Sequence, residues 1–228
     1  MKRLPILNLS AGGGPSKPTK KVNKTVFSVG DRVLLVSPSG GGKTNVIRNM
    51  ILKRGFLPAI ERVEVVTASP DDYEAIAGKL NGAADNDVVI IQTPDDIDGG
   101  DLSEFEGHSL PSFVILDDIL GHPRVGRLLE QITTHGRHAN SIFAISTQAA
   151  KDVSTTVRQN SNFVCIFPGL MTPNEQRNAW SMVPGDLSRE DFAAKLDKVR
   201  AAGPFGFLTI RRGATGPDRY WLNFSGPI

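Results

Sequence analysis

The stretch Arg32–Thr44 reads RVLLVSPSGGGKT. Its opening, Arg32–Val36, carries the unbroken apolar run Val33–Val36, the pattern of a short strand buried on both faces. Apolar residues then recur at Val46, Ile47, Met50 and Ile51, one face of a helix expected over Thr44–Arg54, with Gly55 as its stop. A strand, a glycine run and a helix start in this order make a phosphate cradle. Glycines let backbone N–H groups turn inward, and the helix N-terminus presents its own to an anion. Ser39, Gly40, Gly41, Gly42, Lys43, Thr44 and Asn45 are the expected nucleotide-binding residues. Lys43 is expected to reach the β- and γ-phosphates of ATP, and the Thr44 hydroxyl to bind Mg²⁺. The pattern G-x-x-x-x-G-K-[ST] is broken at its first position, where Ser37 replaces glycine. If that position needs a positive φ, serine costs about 1 kcal/mol there.

Short apolar runs alternate with helical patterns downstream. Strands are expected at Arg62–Thr67, Asp87–Ile91, Phe113–Leu116, Ser141–Ser146 and Phe163–Phe167. Asp71–Leu80 is helical, and Pro123 is placed to open a helix whose apolar face is Val125, Leu128, Leu129 and Ile132. A short helix is expected before Arg158 and Asn160. Thr172-Pro173-Asn174-Glu175 has the form of a capping box, and Ser188 that of an N-cap before Phe192, Leu196 and Val199. Thr93–Ser109, acidic and glycine-rich, reads as an exposed loop. Phe205–Arg211 and Arg219–Phe224, joined by a Gly/Pro turn, read as an antiparallel hairpin. The alternation implies an α/β fold with a mostly parallel sheet covered on both faces, ligands binding at the carboxyl ends of the strands.

The chain's 228 residues suit one α/β domain. We expect it over 25–228, behind a flexible basic arm at 1–24 that carries Lys17, Lys20, Lys21 and Lys24. No run approaches the roughly 18–20 apolar residues of a membrane span. The opening MKRLPILNLSAGGG lacks the apolar core of a secretory signal, so the expectation is a protein that is not secreted. The single cysteine, Cys165, lies in an apolar run and reads as a small buried residue. The net charge of +2 says little by itself about nucleic acid.

Two further strand ends carry polar chemistry. Phe113–Leu116 runs into Asp117-Asp118, and adjacent carboxylates ending a buried strand are costly unless solvated or paired with a cation. Successive strand side chains point to opposite sides. Asp117 is therefore expected in the Mg²⁺ shell through water, and Asp118 to orient or deprotonate the attacking water. The apolar strand pattern of Ser141–Gln148 ends in Gln148, whose amide can bond the γ-phosphate or the lytic water. Arg137, before that strand, is either a structural cation or a finger that stabilises transition-state charge on a neighbouring subunit's nucleotide; Arg158 is a second candidate. His135 and His138 have no metal-ligand pattern and read as surface residues.

The order SPSGGGKT (37–44), VVTASP (65–70), FVILDD (113–118), HGRHANSIFAISTQ (135–148) and VRQNSNFVCIF (157–167) resembles the genome-packaging ATPases of poxviruses, other large DNA viruses and tailless membrane-containing viruses, members of the FtsK–HerA superfamily. The resemblance covers residues 26–168. It implies a RecA-like three-layer core with the acid-bearing strand beside the Gln148 strand, and it favours Gln148 as sensor and Arg137 for a role in trans. It implies a homo-oligomeric ring, often a hexamer, around double-stranded DNA at a capsid vertex, with capsid or membrane-associated virion proteins as partners. The protein is then expected in the virion and the host-cell interior. Ser37 and the Asp-Asp pair, where many relatives have Asp-Glu, depart from the pattern.

From these residues the leading expectation is an ATPase that drives double-stranded viral DNA into a preformed capsid through phosphate contacts; Lys151 and Arg158 are candidate DNA contacts. Two other classes stay open: a P-loop kinase for a small molecule, recruiting Arg124, Arg127 and Arg137, and a non-enzymatic, nucleotide-dependent capsid assembly protein.

Overall fold

In the computed structural model, residues 26–53, 57–58, 60, 62–80, 88–97, 102, 111–183, 185 and 187–228 are described. The expected arm at 1–24 and the Gly55 helix stop lie outside them. The elements are β1 (Arg32–Val36), α1 (Lys43–Lys53), β2 (Arg62–Thr67), α2 (Asp71–Leu80), β3 (Val88–Gln92), β4 (Ser112–Asp117), α3 (Val125–His135), β5 (Ser141–Thr147), α4 (Thr155–Asn160), β6 (Phe163–Ile166), α5 (Pro173–Trp180), α6 (Arg189–Ala201), β7 (Leu208–Arg211), β8 (Tyr220–Leu222) and β9 (Gly226–Pro227).

All strands join one sheet in the order β3-β2-β4-β5-β1-β6-β7-β8-β9. Pairing is parallel from β3 to β6 and antiparallel from β6 to β9. The expected hairpin is β7–β8. It extends the main sheet by pairing with β6 and adds the short β9. β1, β4 and β5 are buried along their whole length, as central strands covered on both faces must be.

The sheet divides two apolar clusters. On one face Val46, Ile47, Met50 and Ile51 of α1 and Tyr73 and Ile76 of α2 pack with Val33, Leu35, Ile115 and Ala144. On the other, Val125, Leu128, Leu129 and Ile132 of α3, Val157 of α4, Ala179 of α5 and Phe192, Leu196 and Val199 of α6 pack with Leu34, Leu116 and Ile145. The molecule is therefore the expected three-layer α/β sandwich.

Local signals place most boundaries. Thr172 and Glu175 form the reciprocal capping box of α5 with Pro173 at its start, and the Ser188 hydroxyl accepts from the Asp191 N–H. Three expectations change. Pro123 stands in the turn before α3, which begins at Val125, because the Val125 N–H donates to the His122 carbonyl at 3.0 Å. Arg158 and Asn160 belong to the last turn of α4 rather than following it. Of the expected exposed loop at 93–109, the described Ile97 and Leu102 are instead buried against the α3 face, and the Leu102 N–H donates to Gln131 Oε1 at 2.7 Å.

Cys165 sits fully buried in β6, and burial pushes its thiol up to about 12 despite the opposing contact with the Thr209 hydroxyl. Because the thiolate is the reactive form, iodoacetamide at pH 8 should leave Cys165 unmodified in the folded protein and alkylate it completely in 6 M guanidinium; mass spectrometry reads both. Fast native labelling would contradict this burial.

Candidate functional site

The register of three neighbouring strands builds the site. β5 lies between β1 and β4, pairing Val36 with Thr147 and Asp117 with Ser146. The exits of all three strands therefore share one edge, and loop 37–44, Asp117-Asp118 and Gln148 meet there. The resemblance-based expectation that the acid strand lies beside the Gln148 strand holds.

The loop leaves β1 with the Ser37 N–H bonded to the Thr147 carbonyl at 3.1 Å. Gly40 and Gly42 have φ of 76° and 103°, a region where a side chain is strained. Among the described residues the positive-φ positions other than glycine are Asp118 and Asn223. Ser37 therefore carries no left-handed penalty, and its departure from glycine is tolerated. Its hydroxyl donates to the Pro38 carbonyl at 3.0 Å and fills the space beside Gly41, where a Cβ would come within 1.9 Å of Ser37 Oγ. Serine at the first position thus leaves room for no side chain at Gly41.

Lys43 opens α1 and is buried, donating from Nζ to the Ser37 carbonyl at 2.6 Å. Burial lowers its pKa, while the charges of Asp118 and then Asp117 oppose the shift. Ser39 and Gly40 are exposed at the loop's tip, and Thr44 and Asn45 are half-buried on the first turn of α1.

Asp117 ends β4 and is buried, 6% exposed. Three hydroxyls converge on it: Tyr73 OH donates to Oδ2 at 2.7 Å, Ser146 Oγ donates to Oδ1, and Thr44 Oγ1 lies 3.5 Å from Oδ2. Each comes from a different element, α2, β5 and α1. Burial and the Asp117 charge push the Tyr73 phenol far above its ordinary range, so it donates at every physiological pH. The adjoining Thr44 hydroxyl and Asp117 carboxylate are the hard oxygen donors Mg²⁺ takes beside nucleotide phosphates and water. Among the described residues no cluster of His, Cys, Asp and Glu forms an all-protein metal cage.

Asp118 diverges from Asp117 more sharply than strand alternation requires. Its φ is 59°, a left-handed conformation that aspartate tolerates better than most residues. Its N–H donates to the Ser146 carbonyl at 3.3 Å and to Ser146 Oγ at 3.2 Å. The exposed carboxylate accepts from Gln148 Nε2. Asp118 and Gln148 are thus one hydrogen-bonded pair.

Arg137 does not join this site. It lies in the turn before β5, whose seven residues span about 20 Å at 3.3 Å per residue, and its Nε donates to His138 Nε2 at 3.0 Å. Within one chain it stands at the amino end of the strand whose other end bears Gln148. Arg158 is also away from the loop, donating to Ser181 Oγ at 3.0 Å where a cation suits the carboxyl end of α5. Sequence reasoning missed Tyr73 and Ser146. Tyr73 reads as an apolar-face helix residue and Ser146 as strand interior; only the neighbouring Asp117 gives either a polar role.

No protein-family model and no curated protein matches the sequence. Solved structures do share its fold. The genome packaging NTPase B204 from Sulfolobus turreted icosahedral virus 2, in complex with ATP-gammaS, superposes with a TM-score of 0.58 at 19% identity, covering 85% of this chain and 96% of that one. Its complex with AMPPCP gives 0.57 at 20% identity, over 88% and 100%. EssC (ATPases 2 and 3) from Geobacillus thermodenitrificans gives 0.55 at 10% identity, over 87% of this chain and 40% of that one. At these identities the likeness is one of fold.

Tyr73→Phe keeps the ring and removes one donor from a buried carboxylate. It should lower unfolding stability by about 1.5–3 kcal/mol, the worth of a hydrogen bond to a charged group. A urea melt reads the change, and an unmoved midpoint would show that Asp117 does not depend on Tyr73.

Proposed function

We propose that this chain is the ATP-hydrolysing subunit of a viral genome-packaging motor of the FtsK–HerA superfamily, driving double-stranded DNA into a preformed capsid. The observation that carries hydrolysis is the meeting of loop 37–44, the Thr44–Asp117 pair and the Asp118–Gln148 pair at one sheet edge. The fold likeness to a virus's genome packaging NTPase, in complex with ATP-gammaS and with AMPPCP, supports the packaging role.

The roles follow from the chemistry. Ser39, Gly40, Gly41, Gly42 and Asn45 frame the phosphates, and Lys43 leaves the Ser37 carbonyl to meet the β- and γ-oxygens. Thr44, and Asp117 through water, would hold Mg²⁺, which would supply charge neutralisation at the phosphate oxygens. Tyr73 and Ser146 hold the Asp117 carboxylate in orientation by donating to its two oxygens. Asp118 takes the proton of the attacking water, and Gln148, already bonded to that carboxylate, aligns the water and registers the γ-phosphate. Arg137 acts on a neighbour's nucleotide, so the working unit is a homo-oligomeric ring, with six subunits the leading arrangement. Such a ring works at a capsid vertex, against capsid or membrane-associated virion proteins, inside the host cell and in the virion. Among the described residues no helix is long and apolar enough to cross a membrane.

A small-molecule kinase fits less well. Its lid would need arginines converging on the phosphates, whereas Arg124 donates to the Asp95 carbonyl and Arg137 stands at the far end of β5. An assembly protein without catalysis would not need the Asp118–Gln148 pair.

ATPase turnover should rise when double-stranded DNA is added and vanish in Lys43→Ala; turnover that ignores DNA, or needs a nucleoside acceptor, defeats the motor reading. Gln148→Ala should lower kcat about 100-fold with little change in KM, as expected for a group used mainly in the transition state. Mixing Lys43→Ala subunits with Arg137→Ala subunits should restore part of the turnover, because some interfaces then pair an intact loop with an intact arginine. No recovery on mixing would count against a role in trans.

A further inference from the structure

Two apolar side chains stand against the loop's glycines, where phosphate binding does not require them. A Cβ on Gly42 would lie 3.2 Å from Phe205 Cδ1, and one on Gly40 would lie 3.7 Å from Leu170 Cδ1. Leu170 follows β6 and Phe205 precedes β7. Their segments are locked together: a Cβ at Gly169 would meet the Pro204 carbonyl at 2.7 Å, and Arg200 Nε donates to the Pro168 carbonyl at 3.4 Å. Behind them the rings of Phe167 and Phe207 stack with centroids 4.7 Å apart. The result is a supported apolar ledge on one flank of the loop.

The strand order gives that flank its meaning. Asp117, Asp118 and Gln148 reach the loop from the β4–β5 side of β1, whereas Leu170 and Phe205 reach it from the β6–β7 side. A nucleotide has a matching asymmetry, with a charged triphosphate at one end and a flat base at the other. Leu170 is 58% exposed, the most exposed large apolar side chain among the described residues. Such exposure beside a phosphate cradle is the mark of a surface that a ligand covers.

We propose that Leu170 and Phe205 receive the base of the nucleotide whose phosphates bind loop 37–44. The contact is apolar and face-on. Every base offers such a face, so the ledge requires a base without selecting which one. The inference rests on the reading of loop 37–44 as the nucleotide site.

The test is calorimetric titration of the full chain with ADP, GDP and inorganic pyrophosphate. Pyrophosphate keeps the phosphates and lacks the base. Leu170→Asp should weaken ADP and GDP about tenfold each and leave pyrophosphate within about twofold, while Leu170→Met should bind all three like wild type. Leu170 is exposed, so these variants should fold, and circular dichroism checks that they do. Unchanged ADP affinity in Leu170→Asp overturns the proposal, as does equal weakening of pyrophosphate, which would indicate a distorted loop. A loss confined to one of the two nucleotides overturns the lack of base selection. A changed sedimentation coefficient with ADP affinity intact would make Leu170 a contact between copies and overturn the base subsite. Lys43→Ala should weaken all three ligands; if it weakens none, the nucleotide reading itself has failed rather than the ledge.

Discussion

The structure turns on a buried carboxylate. Asp117 lies at the carboxyl end of a strand buried on both faces, where an ionised group without partners is strongly unfavourable. It is sustained by hydroxyls from α1, α2 and β5, which are neutral donors. Neutral donors satisfy the carboxylate oxygens without placing a formal charge of their own beside them. A lysine or arginine in their place would have closed the site with an ion pair. Three elements distant in sequence must therefore be correctly packed before the carboxylate is tenable, which couples the site to the fold.

The neighbouring acid is handled in the opposite way. Asp118 leaves the strand in a left-handed conformation, reaches solvent and pairs with Gln148. One strand end thus supplies a buried, fixed carboxylate and an exposed one beside an amide. Ser146 joins the two, since its hydroxyl donates to Asp117 while its carbonyl and hydroxyl accept from the Asp118 N–H. Displacing β5 by one residue would break both arrangements together.

The sheet also separates chemistry by position. Its carboxyl end carries the loop, the acids and Gln148, and Arg137 stands at its amino end. Across the sheet, the order β4-β5-β1-β6-β7 sets polar groups on one flank of the loop and apolar ones on the other.

Local patterns decided much of this before any fold was known. The apolar run, glycines and Lys-Thr of 32–44 determine a strand, a glycine-rich turn and a helix start, because period, glycine freedom and helix polarity act within a few residues. The capping box at Thr172 and the acids after Phe113–Leu116 were legible for the same reason. Pro123 misled because proline marks a helix start only to within a residue or two, and the hydrogen bond to His122 chose Val125. Ser37 carries no left-handed penalty, since backbone conformation in a loop depends on what holds each end. Tertiary structure alone decided that Tyr73 and Ser146 serve Asp117, that Gln148 meets Asp118, that Leu170 and Phe205 flank the glycines and that Arg137 lies at the far end. Each of these joins residues from different elements. Strand order and register place them, and both are set by burial of two apolar faces across the whole sheet rather than by any local pattern.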